Sequence, residues 1–338
     1  MLKNKDYSTI FHIWLLSLAI LVGLIIIVGG LTRLTDSGLS ITEWELVKGI
    51  LPPISSEDWI AYFESYKQIP QYLLLNNDMT IKEFKFIFLW EYAHRLFARL
   101  IGILFLIPLL FFVYVNFFKK KLIIRLILIF ILIITQGAVG WYMVSSGLTE
   151  NTSVSHYRLS IHLFIAFSIF SSLIWIFLNS YNRTEKKFFQ FNFNDLCLKS
   201  LLILLYVQII LGAFVSGLDA GRIYQTWPLM NGNYLPNDTS LKMILNFNLP
   251  SSVQFFHRNI AYIIFFLAIY LGFIIFNKEK LKLYNNFLIF FLIIIVQIIL
   301  GISVLISGTN IYLASMHQIS SIFLIVAAIN LYYRSIRY

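Results

Sequence analysis

Charge is what this chain of 338 residues has least of: 12% of its residues are Asp, Glu, Lys or Arg, against 59% hydrophobic and 17% aromatic. That balance excludes a soluble domain, whose surface must be solvated, and makes the chain an integral membrane protein. The apolar runs also lack strict apolar/polar alternation. This excludes barrel strands, so each span must satisfy its own backbone hydrogen bonds as a helix. A lone cysteine, Cys197, rules out an internal disulfide and reads as a small buried apolar side chain. Low-complexity segments are missing too. So is an Arg-rich amphipathic stretch ahead of the first apolar run, and that run is too long, and too soon followed by others, for a cleaved signal. A bacterial inner membrane is expected rather than a mitochondrial one.

Present in their place are eight apolar runs, near residues 12 to 31, 86 to 115, 122 to 145, 158 to 178, 197 to 217, 255 to 276, 284 to 306 and 312 to 333. Each is long enough for a hydrocarbon core of ~30 Å, which takes ~20 helical residues. The net charge of +10 is distributed by side. Lys3, Lys5, Lys119, Lys120, Lys121, Arg125, Arg183, Lys186, Lys187, Lys199, Lys278, Lys280, Lys282, Arg334 and Arg337 fall on one face, while the other face mixes 11 basic with 12 acidic residues. The first face is the cytoplasm, and both termini lie on it. Because this charge is topological, no nucleic acid partner is expected.

Against so apolar a background, the polar exceptions repeat. Glu91-Tyr-Ala-His94-Arg95 returns as Gln254-Phe-Phe-His257-Arg258, Gln136 with Gly140 returns as Gln297 with Gly301, and His162 returns as His317. The expected architecture is therefore an all-α membrane protein made of two parallel four-helix bundles, 1-180 and 181-338, related by a pseudo-two-fold axis along the membrane normal. Each of the four histidines falls early in a helix that enters from outside. All four then share one depth near the outer leaflet.

Two imidazoles on facing helices at equal depth can saturate a heme iron, so His94 with His162 and His257 with His317 are candidate heme sites. A lone intramembrane histidine more often just hydrogen-bonds between helices. Four in register, at a depth where ionisable groups are costly, favour function. His12 and His156 have no repeat mates and receive no ligand role. Arg95 and Arg258 can reach heme propionates with forked hydrogen bonds or can snorkel to the interface. Gln136, Gln208 and Gln297, each four residues before Gly140, Gly212 or Gly301, mark close helix packing or close approach to a flat porphyrin. Glu91 breaks the symmetry, since its mate is neutral Gln254. It can pair with Arg95 one turn on, or it can orient water, take a proton or stabilise positive charge beside a porphyrin edge.

The first external segment, Leu34 to Lys85, is longer than its mate, Leu218 to Ser252. Its amphipathic pattern predicts short helices lying over the bundle.

Taken together, Gly29-Gly-Leu-Thr-Arg33-Leu-Thr-Asp-Ser-Gly-Leu-Ser40, Thr42-Glu-Trp44, Lys67-Gln-Ile-Pro70, Glu83-Phe-Lys-Phe-Ile-Phe88, Glu91-Tyr-Ala-His94-Arg95, Gly212-Ala-Phe-Val-Ser-Gly217-Leu-Asp-Ala-Gly-Arg222 and Thr226-Trp-Pro-Leu-Met230 resemble the heme A synthases, in the branch shared by mitochondria and alphaproteobacteria. The likeness covers nearly the whole chain. It implies oxidation of a methyl group of heme O to the formyl group of heme A, with His257 and His317 on a resident heme b. His94 and His162 would hold the substrate heme beside the catalytic carboxylate Glu91. The resemblance also implies heme O synthase and terminal oxidase assembly factors as partners; a quinone or other membrane electron carrier and membrane lipid are further expected partners, and a homo-oligomer is left open. Some bacterial members carry a cysteine pair in the first external loop, and this chain has none there, so thiol-based electron delivery is excluded. The rival reading is a non-catalytic diheme cytochrome relaying electrons from quinol. It uses the same histidines and leaves Glu91 without a task.

Overall fold

A computed structural model describes residues 7 to 44, 48 to 149, 151 to 189, 196 to 240, 242 to 277 and 281 to 336. Lys3, Lys5, Lys278, Lys280 and Arg337, used above for topology, lie outside the described residues.

Each of the eight apolar runs forms a helix long and apolar enough to cross a membrane: α1 (Ser8–Leu34), α4 (Ile81–Tyr114), α5 (Lys120–Ser145), α6 (His156–Tyr181), α7 (Leu196–Gly217), α8 (Pro250–Asn277), α9 (Leu281–Ile306) and α10 (Ile311–Ser335). The chain is a multi-pass membrane protein. These helices extend a few residues beyond the apolar runs, because a helix ends where its last carbonyls are capped rather than where hydropathy falls. α4, at 34 residues, is about 50 Å long by its rise per residue, well beyond a hydrocarbon core.

The first turns of α4 therefore have to be covered on the outer side, and the first external segment covers them. It folds into α2 (Ser56–Tyr66) and α3 (Pro70–Leu75). Capping boxes start α2, with Ser55 and Asp58, and α4, with Thr80 and Glu83; each satisfies donors that the first helical turn leaves free. Phe63 and Tyr66 of α2 pack with Leu39, Ile41 and Ile69 against Phe84, Ile87 and Phe88. The segment is a small core of its own, seated on α4. Its mate between α7 and α8 is mostly turns, with one 3-10 turn at Ala220–Arg222.

Among the spans, α1, α4, α5 and α6 contact one another in a closed ring, as do α7, α8, α9 and α10. α1 and α6 meet α7 and α10 between the rings, and α1 and α6 are the most buried spans. α5 and α9 are the least buried, with Ile127, Ile131, Ile134, Ile289, Leu292 and Ile299 exposed, as lipid-facing helices should be. Polar ties cross between the rings, among them one from Tyr206 of α7 to Ser171 Oγ of α6 at 2.7 Å. Gln318 of α10 donates to Ile26 O of α1 at 2.7 Å, its carboxamide lying where a side chain on Gly30 would stand. Arg33 of α1 bonds Asp36, and it also reaches Ser216 O at 2.7 Å and Asp219 at the end of α7.

Candidate functional site

Each of the four repeated histidines sits against a glycine of the neighbouring helix. A methyl group added at Gly29 would lie 2.9 Å from Cε1 of His94, at Gly140 3.0 Å from Cε1 of His162, at Gly212 3.4 Å from Cε1 of His257, and at Gly301 3.0 Å from Cε1 of His317. A larger residue at Gly29, Gly140 or Gly301 would press on the ring, while at Gly212 the added carbon would just meet it. Every one of these glycines stands five residues before the end of its helix, on α1, α5, α7 and α9, and the histidines ride on α4, α6, α8 and α10. The four imidazoles are thus held at one end of the bundle by one repeated device. Sequence reasoning found three of these glycines through their glutamines and missed Gly29. The position four residues before it is Ile25, so the cue was missing there.

α4 and α6, which carry His94 and His162, belong to one ring, and α8 and α10, which carry His257 and His317, belong to the other. Among the described residues no cluster of three or more metal-ligating side chains forms. A metal bound by either pair would take its remaining ligands from something other than protein, as iron does inside a porphyrin. Nδ1 of His94, His162 and His257 is buried without a hydrogen-bond partner among the described residues, whereas Nδ1 of His317 lies 3.1 Å from Gln297 O. Buried polar atoms left without partners call for a reason. Imidazole pairs in glycine cradles, with a ring nitrogen free on His94, His162 and His257 and both nitrogens of His317 held by Gln297, are residues that fit a bis-histidine heme in each ring once Gln297 yields one nitrogen of His317.

Glu91 is buried and fully engaged. Its Oε1 accepts from Arg95 Nε at 3.0 Å and Nη2 at 2.6 Å; its Oε2 accepts from Ser40 Oγ at 2.7 Å and from the Ile41 amide at 2.9 Å. These bonds occupy about all the acceptor directions a carboxylate has. The pairing with Arg95 weighed above is therefore present, one turn from His94. As placed, the group offers fixed negative charge rather than an unengaged basic oxygen.

Arg95 also donates from Nη2 to Ile41 O at 3.0 Å and from Nη1 to Glu43 O at 3.5 Å, and its guanidinium lies over the Trp44 ring. Arg258 repeats this clasp on the other loop, with Nη2 to Tyr224 O at 2.8 Å and Nη1 to Thr226 O at 2.9 Å. Gln254 donates to the same Tyr224 carbonyl at 3.0 Å. Both arginines pin the external loop to the helix that bears a histidine, and neither is turned outward alone. A pocket beside the first clasp is lined by Glu43, Tyr62, Phe88, Tyr92, Arg95 and Arg99. The loops match residue by residue at their turning points, since Asp36 and Asp219 both take left-handed backbone, φ 49° and 50°. Ser40, the hydroxyl that accompanies Glu91, corresponds to Ile223 in that register. Its role escaped the sequence reading because the loop repeat runs at a different offset from the histidine repeat.

The family model described as cytochrome oxidase assembly protein, COX15-CtaA, matches residues 12–329. The chain belongs to this family. Among similar relatives, the heme A synthase of Pelagibacter ubique is 48% identical over 99% of both chains. That of Bradyrhizobium diazoefficiens is 42% identical, covering 94% of this chain and 89% of the relative. The heme A synthase of Rickettsia bellii is 41% identical over 94% of this chain and 95% of its own. The residues that carried the likeness in the COX15-CtaA chain, from Gly29 to Ser40 and from Gly212 to Arg222, are the cradles and loop turns described above.

Proposed function

We propose that this chain is a heme A synthase, an enzyme that oxidises a methyl group of heme O to the formyl group of heme A for terminal oxidase assembly. The observation that carries this is one asymmetry in an otherwise repeated device: both rings hold a histidine pair in glycine cradles, and only one has a carboxylate beside it. Relatives at 41 to 48% identity over nearly the full length carry the same name.

In this reading the rings are parallel repeats, 1-180 and 181-338, related by a pseudo-two-fold axis along the membrane normal. The repeated glycine positions and the repeated arginine clasps support it. His257 and His317 hold the iron of a resident heme b, which when bound supplies a one-electron relay. His94 and His162 hold the iron of the substrate heme O. With His94 and His162 both holding that iron, the reacting atom would be a methyl group at the edge of the macrocycle. Glu91, fixed by Arg95, Ser40 and the Ile41 amide, places negative charge there to stabilise positive charge developing at the reacting carbon. Arg95 and Arg258 orient the porphyrin by closing the loops over each site, and Arg95 and Arg99 line the pocket beside the first clasp. The protein spans a bacterial inner membrane with both termini cytoplasmic and its heme sites toward the periplasm. Heme O synthase supplies the substrate, oxidase assembly factors receive the product, a quinone or another membrane carrier exchanges the electrons, and homo-oligomers form in the lipid.

Expression with heme O available, followed by extraction and mass analysis of the hemes, tests the reading. Formyl heme dependent on this chain is the expected result. Two unmodified hemes would instead identify an electron-relaying cytochrome.

A further inference from the structure

Beyond the histidines, the three glutamines distinguish the two rings. Gln208 donates from Nε2 to the backbone carbonyl of His257 at 2.9 Å, and Gln297 does the same to His317 at 3.1 Å. In both, the amide nitrogen also lies 3.3 to 3.4 Å from the imidazole Nε2, a contact that the nitrogen gives up when it ligates iron, so the bond to the backbone carbonyl is the grip that remains. Ser320 completes the second grip, bonding Gln297 Oε1 and, at 2.9 Å, His317 O. Each amide ties a histidine-bearing helix to its neighbour at the residue that carries the ligand, in a medium where such interhelical bonds meet no competing water.

The first ring has no such grip. The Gln136 carboxamide makes no bond to His162 among the described residues, and its Oε1 is buried without a partner. On α1 the corresponding position, four residues before Gly29, is Ile25, whose side chain has no polar atom. The glycine cradles are alike in all four places. What separates the rings is that both histidines of the second are gripped and neither of the first is.

We propose that these amides set how firmly each site keeps its porphyrin: Gln208 and Gln297 are positioning residues that hold the second-ring heme through turnover, while Ile25 leaves His94 free to give way as substrate enters and product leaves. This rests on the reading of both histidine pairs as heme sites. An enzyme whose substrate and cofactor are near-identical discs needs one site that exchanges and one that does not. The cradles alone do not separate them, because every histidine has one. Outer hydrogen bonds that fix a ligand commonly change metal affinity by about 10- to 100-fold, enough to make one site resident and its twin exchangeable.

The test uses the full-length protein in detergent, loaded with heme b and heme O, and mixed with excess apomyoglobin as a heme acceptor; the hemes that stay are identified by mass over time. In the unaltered protein heme O should leave first. Ile25→Gln, which copies the second-ring arrangement, should slow heme O loss by about 10-fold or more. Gln297→Leu with Gln208→Leu should speed heme b loss by about 10- to 100-fold, with heme O loss unchanged. Gln297→Asn keeps the polarity but falls one methylene short of His317 O, and it should show the same loss in a chain that still folds. Equal loss of both hemes from the unaltered protein, or heme b loss from Gln297→Asn at the unaltered rate, would overturn the proposal. Failure of either ring to load heme at all would instead strike at the two-site reading itself.

Discussion

Glu91→Gln separates what the carboxylate does for the fold from what it does for the reaction. Glutamine keeps one acceptor, so Arg95 keeps a partner there as well as the carbonyls of Ile41 and Glu43. The amide nitrogen replaces Oε2 and meets the Ile41 N–H, donor against donor, where a 2.9 Å bond stood. An unsatisfied buried donor costs about 1–3 kcal/mol. Weakening the charge-assisted bonds to Arg95, whose side chain is 11% exposed, adds to this. The expected total is about 3 kcal/mol, at the low edge of the ~3–5 kcal/mol seen when a buried pair loses one partner outright. Glu91→Ala, which strands the guanidinium, should reach that full range. A thermal melt in detergent reads the cost, and heme content per folded chain reads site integrity. Heme A formed per bound substrate heme reads catalysis, where a fall of about 100-fold or more is expected if fixed charge beside the reacting carbon matters. Near-normal yield per bound heme, with only the melt lowered, would refute the catalytic assignment and leave Glu91 as half of a loop clasp.

The remaining predictions concern the cradles, the pairing and the topology. Gly301→Ala should displace the His317 ring and deplete the heme b spectrum, Gly212→Ala should do so less because its added carbon meets His257 at 3.4 Å rather than 3.0 Å, and Gly102→Ala, with nothing within 4 Å, should be silent in the same spectrum. His257→Ala or His317→Ala should remove the resident heme signal, while His94→Ala or His162→Ala should spare it and stop heme A formation; loss of all heme on replacing His94 would contradict separate sites. Fusion reporters at residues 120 and 186 should report cytoplasm, and a periplasmic signal at 186 would break the shared depth of the histidines.

The eight spans were legible in the sequence because hydrocarbon imposes a length and a composition on each crossing that no tertiary contact can waive. The histidine repeat was legible for a related reason: a polar residue kept at depth is costly, so its return at an offset that drifts only slightly is hard to miss. Three of the four cradling glycines could be seen through the glutamines beside them. Gly29 could not, since contact between α1 and α4 joins residues 65 positions apart and Ile25 has nothing polar to mark it. The sequence also left Glu91 with two readings and Arg95 and Arg258 with two more. Only the folded loops decided what these groups touch. Ser40 and Ile41 close on the carboxylate, and the carbonyls of Ile41, Glu43, Tyr224 and Thr226 close on the guanidiniums, from segments whose approach depends on how α2 and the loop turns pack. Periodicity in a chain reports burial of faces. A hydrogen bond from a loop backbone carries no periodicity, and it becomes visible only when the tertiary structure brings that backbone to the side chain it serves.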